Sequence, residues 1–194
     1  MSKANTFMKI PKRRIGALIG PEGSTKKNIE EDLSVNLAIQ SDTGGVTIRL
    51  ADDCPDPSSL FRAKEVVTAI GRGFPPETAF RLIRDPKTIL KIIDLREIFG
   101  KSESDIRRIK GRIIGRGGKT RRLIEELTKT DVSIYGHTVG LIGDMEQMQA
   151  AKGAVQMLIE GSQHRTVYRY LHKKRRELKK RMLQLWEKPP DKKE

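Results

Sequence analysis

The stretch Gly111–Ile124 reads GRIIGRGGKTRRLI, and it decides the fold of this chain. Apolar residues lead up to Gly115, a Gly-x-x-Gly turn runs to Gly118, and a basic stretch then returns to apolar spacing. This pattern predicts a helix, a tight loop and a second helix. Glycines let the main chain approach a ligand closely, and a loop that opens onto a helix N-terminus presents N–H groups and a partial positive charge to an anion. A chain of phosphates is the natural ligand of such a loop.

The charges and the spacing of this loop indicate which class of phosphate site it can form. Four cations surround it, namely Arg116, Lys119, Arg121 and Arg122. A Walker loop has four residues between its glycines, followed by Lys-Ser/Thr, whereas only two residues separate Gly115 from Gly118. A dinucleotide-binding loop needs Gly-x-Gly-x-x-Gly directly after a strand, but the residues before Gly115 are typical of a helix. Spacing therefore argues against both nucleotide-binding loops.

The composition favours a polyanionic partner. The 194 residues carry 39 Lys/Arg against 25 Asp/Glu, a net charge of +14, and the pI is near 10.0. This balance indicates nucleic acid first and an acidic membrane surface second. Residues 73–194 hold 28 Lys/Arg against 16 Asp/Glu, whereas residues 1–72 hold 11 against 9. We therefore expect the second half of the chain to supply most of the electrostatic attraction.

The sequence predicts neither a membrane span nor a disulfide framework. No run reaches the roughly 18 apolar residues of a membrane helix, and the N-terminus lacks a signal-peptide core. The single cysteine, Cys54, fits a reducing compartment. We therefore expect a cytoplasmic protein.

An internal duplication explains the rest of the chain. When Gly16–Glu31 is shifted by 95 positions onto Gly111–Glu126, eight of sixteen residues are identical and the glycines stay in register. The similarity continues into a later helix, where Ala63-Lys64 matches Ala151-Lys152. Each copy then reads strand, helix, Gly-x-x-Gly, helix, strand, strand, helix.

This order predicts an α+β fold of two tandem units that pack together as one rigid body. We place the first unit at residues 1–74, the second at residues 75–162, and a basic C-terminal helix with a disordered tail at residues 163–194. A short amphipathic helix is expected at residues 77–84, and the first strand of the second unit at residues 89–98. The helix that follows is expected to be capped by Ser102 or Ser104.

The predicted C-terminal helix is strongly basic. Residues 165–181 contain nine Lys/Arg and one acid. A solvated helical face is the usual fate of such a run, but its charge density favours contact with phosphates, and we select Arg169, Lys173 and Arg176 as candidates.

The first loop differs from the second in its chemistry. Gly20-Pro21-Glu22-Gly23 keeps both glycines, but Pro21 removes an N–H donor and Glu22 places a carboxylate where a phosphate would lie. Lys26 and Lys27 offset this only in part. We therefore expect Gly20, Gly23, Lys26 and Lys27 to form a weaker RNA contact or a protein-docking site.

Apolar residues near the second loop are candidates for a groove that contacts bases. They are Ile113, Ile114, Leu123, Ile124 and Ile134. Core packing is the expected role for most of them. An aromatic content of 5% argues against a base-stacking platform.

The sequence contains no recognisable catalytic or metal-binding constellation. His137, His164 and His172 lack metal-ligand spacing. The adjacent carboxylates Glu125 and Glu126 point to different sides of a helix, which favours capping and solvent roles over two-metal chemistry. We therefore expect a protein that is not an enzyme and that needs no cofactor.

The I-G-x-x-G-basic pattern resembles the KH domain, whose Gly-x-x-Gly loop clamps about four nucleotides of single strand, and the order of elements is that of type I KH domains. Two such units with a basic helix resemble one family in particular. It is the archaeal and eukaryotic small-subunit ribosome-biogenesis factor known as Dim-two, or partner of Nob-one. The resemblance is greatest at residues 91–96, 111–124 and 161–168.

This resemblance implies binding of single-stranded pre-ribosomal RNA near the 3′ end of the small-subunit RNA, and partnership with a PIN-domain endonuclease. The RNA-binding positions of the family correspond to Gly115, Arg116, Gly117, Gly118, Lys119 and Arg122; we add Arg112, Ile113, Ile114, Arg121 and Ile134 around them. We expect a monomer. A protein-docking scaffold with a basic face and a general mRNA-binding regulator remain alternatives.

Overall fold

The computed structural model describes residues 5–52 and 54–187. In the first unit, the elements in chain order are β1 (Asn5–Lys9), α1 (Ile15–Ile19), α2 (Ser24–Leu33), β2 (Val35–Gln40), β3 (Gly45–Leu50) and α3 (Ser59–Gly71). Short 3-10 turns precede α1 and form the Gly20–Gly23 loop. This is the predicted order of the first unit.

The second unit repeats that order after two short helices, α4 (Pro76–Ala79) and α5 (Arg81–Arg84). Its elements are β4 (Thr88–Asp94), α6 (Leu95–Phe99), α7 (Glu103–Ile114), α8 (Lys119–Thr128), β5 (Asp131–Tyr135), β6 (Thr138–Asp144) and α9 (Met145–Ile159), followed by α10 (His164–Glu187). The basic C-terminal helix is therefore present. Among the described helices, none combines the length and the apolar character needed to cross a membrane.

Each unit contains an antiparallel three-stranded sheet whose last strand lies in the middle. The strand orders are β1-β3-β2 and β4-β6-β5. Leu37 lies opposite Ile48 in the first sheet, and Val132 lies opposite Leu141 in the second. Because side chains alternate between the two faces of a strand, these pairs place apolar residues on the face that the helices cover. The predicted α+β fold class is confirmed.

Strand β6 is buried on both faces, because the first unit covers the outer face of the second sheet. Val139 and Leu141 point into the core of the second unit, whereas Ile142 belongs to the core of the first. A Cβ atom at Gly140 would lie 2.6 Å from the ring of Phe74, so this close approach requires glycine. The two units are packed together, as predicted.

Polar contacts reinforce this interface at the edge strand β5. The Ser133 hydroxyl donates to the Arg72 carbonyl oxygen at 2.9 Å, and Arg81 pairs with the Asp131 carboxylate. The first unit therefore lies against the outer face of the second sheet, on the side away from α7, α8 and α9.

The first strand of the second unit is shorter than predicted. The strand ends at Asp94 rather than at Ile98, and residues 95–99 form α6 instead. The Asp94 side chain accepts a hydrogen bond from the backbone N–H of Arg96 at 2.8 Å, which caps the new helix. The prediction of a strand over residues 95–98 was therefore wrong. Ser102 caps α7 as expected, since its hydroxyl accepts the N–H of Asp105 at 3.4 Å.

Two segments that lie outside the predicted repeat elements contribute to the cores, one to each unit. Ala79, Phe80 and Leu82, from the region predicted as one amphipathic helix, are buried in the first core. Val167 and Leu171 of α10 are buried in the second core. The unit boundaries at residues 74 and 162 stay predictions. The predicted disordered tail, residues 189–194, lies outside the described residues.

Candidate nucleic-acid interface

The second loop has a backbone that depends on glycine. Gly115, Gly117 and Gly118 have φ values of 72°, 58° and 77°, in the left-handed region that L side chains rarely adopt. At Gly115 a Cβ atom would also lie 2.2 Å from Oγ1 of Thr120, at the start of α8. The loop is therefore folded tightly against the first turn of α8.

The fold itself uses several N–H groups of this loop. Those of Gly115 and Gly118 donate to the carbonyl oxygens of Gly111 and Gly115, at 2.9 and 3.1 Å, and that of Lys119 donates to Arg116. Among the loop residues, all of which the structure describes, this leaves the amides of Arg116 and Gly117 to bind an anion. Only part of the loop backbone is therefore available to an anion.

The four cations around the loop have different surroundings. Within the described chain, no carboxylate lies at ion-pair distance from Arg116 or Lys119, and both are exposed. Arg122 donates to the carbonyl oxygen of Gly117 at 2.9 Å and thereby braces the loop. Arg121 lies 3.7 Å from the carboxylate of Glu125 on the same helix. Arg116 and Lys119 are therefore the cations most available to a phosphate.

Glu125 has a structural role next to these cations. Its carboxylate accepts a hydrogen bond from the backbone N–H of Val132 at 3.2 Å, which ties α8 to β5. Burial raises the pKa of Glu125 above its ordinary value, and this hydrogen bond opposes the shift. The equivalent Glu30 accepts from Leu37 at 2.7 Å, so both units use this carboxylate in the same way.

Arg112 is already used by the fold through its guanidinium. Its guanidinium donates to the carbonyl oxygens of Leu158, at 3.2 Å, and Ser162, at the C-terminal end of α9. The Leu158 carbonyl also accepts the N–H of Gly161 at 3.3 Å, and Ser162 lies just beyond the helix, so Arg112 adds a charged donor where α9 ends. The sequence selected Arg112 for RNA contact because it precedes the loop, but the structure gives it a bracing role.

The apolar candidates for contact with bases differ in exposure. Ile113 is 0% exposed and Ile124 is likewise buried, so both belong to the core. Ile114 is 37% exposed, and Ile134 is partly buried on β5. The Lys110 ammonium donates to the carbonyl oxygen of Gly136 in the β5–β6 turn at 2.7 Å. Direct contact with a base is open to Ile114 and Ile134, whereas it is closed to Ile113.

Helix α10 begins beside the loop and then leads away from it. The hydroxyl groups of Tyr168 and Thr120 are 2.9 Å apart, which fixes the start of α10 against α8. Arg169, Lys173 and Arg176 are exposed and lie at i, i+4 and i+7 along one face. At 1.5 Å per residue, Arg176 lies about 12 Å further along the axis than Tyr168. Arg169 directly follows Tyr168 at the start of this basic face, and Lys173 and Arg176 extend the face along α10.

The first loop has the same backbone but a different chemistry. Gly20 and Gly23 have φ values of 75° and 79°, and a Cβ atom at Gly20 would lie 2.3 Å from Oγ1 of Thr25. Glu22 occupies the left-handed region at φ 52°, where the second loop has Gly117. The candidate cations Lys26 and Lys27 pair with Glu30 and Glu31 at 3.8 and 3.6 Å. The first loop therefore attracts an anion more weakly than the second loop does.

Sequence reasoning missed a second side of the site. Arg108, His164 and Tyr168 line a cleft with the loop residues Arg116 and Lys119. His164 and Tyr168 follow the loop by some 50 residues, so no local pattern connects them with it. The family resemblance at residues 161–168 includes both residues, but it does not indicate that they meet the loop. The first unit has a cleft at the equivalent place.

Comparison with known families assigns both units. A KH domain model matches residues 5–85, and a model of the eukaryotic-type KH domain (KH domain type I) matches residues 89–176. The chain is 46% identical over 189 residues to a KH domain-containing protein of Methanocaldococcus jannaschii, which covers 97% of this chain and 82% of that protein.

Solved structures support the same assignment. Dim2p from Pyrococcus horikoshii is 45% identical, with a TM-score of 0.79 over 88% of this chain and 99% of that chain. A chain in the crystal structure of an a/eIF2alpha-aDim2p-rRNA complex from the same organism is 44% identical, with a TM-score of 0.83 over 90% of this chain and 96% of that chain.

Eukaryotic relatives are longer. The RNA-binding protein PNO1 of Oryzias latipes is 29% identical over 140 residues, which cover 72% of this chain and 58% of that protein. The chain thus spans less than two thirds of the length of this relative. The two KH matches, the archaeal relative and the fold together show that the chain belongs to the family of two-KH-domain proteins that includes Dim2p and PNO1.

Proposed function

We propose that this protein is an RNA-binding assembly factor of the small ribosomal subunit, and that its second KH domain holds single-stranded pre-ribosomal RNA near the 3′ end. The second loop supports the proposal. The backbone amides of Arg116 and Gly117 are available to a phosphate, and the side chains of Arg116 and Lys119 beside them have no acidic partner in the described chain. The rRNA present in the complex that contains the related Dim2p agrees with this proposal.

The mechanism follows from the arrangement of the loop. The two amides donate to a phosphate, Arg116 and Lys119 add attraction that does not depend on sequence, and the side of α7 with Ile114 faces the bases. Arg122 holds the loop carbonyl of Gly117 in place. The affinity should therefore fall with salt, with a slope of about −0.7 per neutralised phosphate.

The contact set is the loop, its exposed cations and the exposed face of α10. It comprises Ile114, Gly115, Arg116, Gly117, Gly118, Lys119, Arg121, Arg122, Ile134, Arg169, Lys173 and Arg176. The first loop, with Gly20, Gly23, Lys26 and Lys27, is proposed as a weaker contact or a docking site. Its cleft contains the apolar residues Ala17, Pro21 and Phe80 together with one acid, Glu77, and one base, Arg84, so its lining has no excess of positive charge to attract a phosphate.

The substitution Arg116→Asp with Gly117→Asp tests the site. Glu22 adopts the same left-handed conformation in the first loop, so an acidic residue at position 117 is compatible with the fold. We expect the affinity for single-stranded RNA to fall by about tenfold or more, because repulsion replaces phosphate contacts. RNA titration measures this, and a thermal melt checks that folding is kept.

The matched control places aspartate at Pro21 and Glu22 in the first loop. We expect this variant to keep most of its RNA affinity. Unchanged RNA affinity in the Arg116/Gly117 variant would contradict the site assignment.

A non-enzymatic role, a cytoplasmic location, a monomeric state and a PIN-domain endonuclease partner complete the proposal; the partner is supported by family resemblance alone. A pull-down with and without ribonuclease distinguishes an RNA-binding factor from a protein-docking scaffold, since a scaffold keeps its partner when RNA is removed. Crosslinking followed by sequencing of the bound RNA separates a ribosomal factor from a general mRNA-binding regulator.

A further inference from the structure

Helix α7 presents two sides beside its buried stripe. Successive helical residues are about 100° apart, so Lys110 and Ile114 share one side, and Arg108 and Arg112 share the other. The first side reaches the β5–β6 turn, where Lys110 contacts Gly136. The second side faces the start of α10. The groove proposed for bases lies on the first side only.

The second side forms an open cleft of about 390 Å³ between α7, the loop and α10, here termed the back cleft. The side chains that matter in its lining are Arg108, Arg112, Arg116, Lys119, His164 and Tyr168. All four charged residues in its lining are cations. A cleft of this charge attracts a group with negative charge.

The walls of the back cleft are held in place by hydrogen bonds. The Tyr168 and Thr120 hydroxyls are 2.9 Å apart, and Nε2 of His164 lies 2.9 Å from the Arg112 carbonyl oxygen. The His164 and Tyr168 rings meet edge to face, with centroids 6.1 Å apart. A ligand therefore meets a formed site, which lowers the entropy lost on binding.

Arg108 can contact a ligand in the back cleft. One of its terminal nitrogens lies 3.0 Å from the Asp105 carboxylate, and both side chains are exposed. An exposed pair of this kind contributes at most about 1 kcal/mol, and the guanidinium keeps further N–H donors. A phosphate can therefore share Arg108 with Asp105.

The first unit shows that the charge of the back cleft is not a general feature of the fold. Its equivalent cleft has Ala17, Pro21 and Ser24 where the back cleft has Arg112, Arg116 and Lys119. Phe80 of the segment after α3 lies where α10 supplies Tyr168. The same backbone thus carries a cleft with one acid and one base, Glu77 and Arg84, in the first unit and a cleft with four cations in the second.

We propose that the back cleft is a second phosphate subsite for the RNA strand that the loop holds. The strand crosses the Gly115–Gly118 loop and places a further phosphodiester between Arg108, Arg116 and Lys119. We choose the RNA strand as the ligand because Arg116 and Lys119 line both the loop site and the back cleft, so the two sites are continuous. The proposal rests on the proposed function of the loop.

The test compares two RNAs on the full chain. One is a tetranucleotide from the 3′ end of the small-subunit RNA, which fills the loop site alone; the other is an octanucleotide that adds two nucleotides at each end. For Arg108→Ala we expect the affinity for the octanucleotide to fall about fivefold, the upper end for one exposed ion pair, while that for the tetranucleotide is unchanged. The salt slope for the octanucleotide should become shallower by about 0.7.

Lys152→Ala, which removes an exposed cation from α9, is the charge-matched control and should leave both affinities unchanged. Equal loss for both RNAs, or no loss for either, overturns the subsite; the second result is also what an acidic peptide ligand would produce. If Arg116→Asp with Gly117→Asp keeps full RNA binding, the proposed function has failed. If that variant loses binding while Arg108→Ala shows no length dependence, only the subsite has failed.

Discussion

The two Gly-x-x-Gly loops share one backbone and differ in their chemistry. Glu22 has φ 52° and ψ 24°, and Gly117, its counterpart, has φ 58° and ψ 25°. Gly20 and Gly115 agree as closely, at φ 75° and ψ 174° against φ 72° and ψ 173°. Loop geometry is therefore set by the packing of two helices, and the ability to bind a phosphate is a separate property of the side chains and free amides.

A second comparison concerns the ends of α3 and α9. Arg14 donates to the carbonyl oxygens of Ile70, at 2.8 Å, and Phe74, whereas Arg112 donates to those of Leu158 and Ser162. These carbonyls occupy equivalent places, since each pair is 88 positions apart. The two arginines, however, do not align in the repeat. The need to satisfy a helix end has thus been met from two different positions in the sequence.

The largest expected effect tests this second comparison. Arg112→Ala and Arg14→Ala should each lower the free energy of unfolding by about 2–3 kcal/mol, because each leaves two carbonyl oxygens without a charged donor. Urea denaturation measures the change. The Arg14 guanidinium also lies 5.9 Å from the centroid of the Tyr135 ring in the other unit. Arg14→Ala should therefore lower the free energy of unfolding at least as much as Arg112→Ala does. A negligible change for Arg112→Ala would contradict its bracing role.

A smaller effect tests whether the side chains of the first loop, and not its backbone, are the reason for its weaker RNA binding. In the variant with aspartate at positions 116 and 117, we would add Pro21→Arg, Glu22→Gly and Ser24→Lys. This restores an N–H donor and two cations on the same backbone, and we expect RNA affinity to recover by about tenfold, or about 1.4 kcal/mol. RNA titration measures the gain. No recovery would mean that the neighbouring cleft and the basic α10, and not the loop alone, decide binding.

The smallest effect sharpens the comparison of backbones. Glu22→Gly should raise the free energy of unfolding by about 0.5–1 kcal/mol, since a left-handed L residue costs roughly 1–2 kcal/mol and glycine returns part of that through the unfolded state. Gly117→Ala should lower it by a similar amount. Urea denaturation with an unchanged m-value measures both. The two variants should change the free energy of unfolding in opposite directions. A change in the same direction would contradict the shared backbone geometry of the two loops.

Sequence reasoning succeeded where the information is local or repeated. The glycines, the offset of 95 and the match of Ala63-Lys64 with Ala151-Lys152 were enough to predict both units and the loop between α7 and α8. It failed at residues 95–98, where capping by Asp94 outweighs an apolar run that reads equally well as a strand. The sequence did not predict that Arg112 braces the end of α9 or that Ile113 is fully buried, because nearness to the loop in sequence does not reveal which side of a helix a residue occupies.

The sequence by itself determined the duplication, the order of strands and helices, and the contrast between an Arg-Gly and a Pro-Glu loop, because these depend on spacing and residue type. The tertiary structure decided which amides stay available, which cations are already used by the fold, and that α10 returns to form the back cleft. It also decided that the first unit covers the second sheet. The bracing by Arg112, the back cleft and the cover over the second sheet arise from contacts between residues some 40 to 70 positions apart, which only the packed chain brings together.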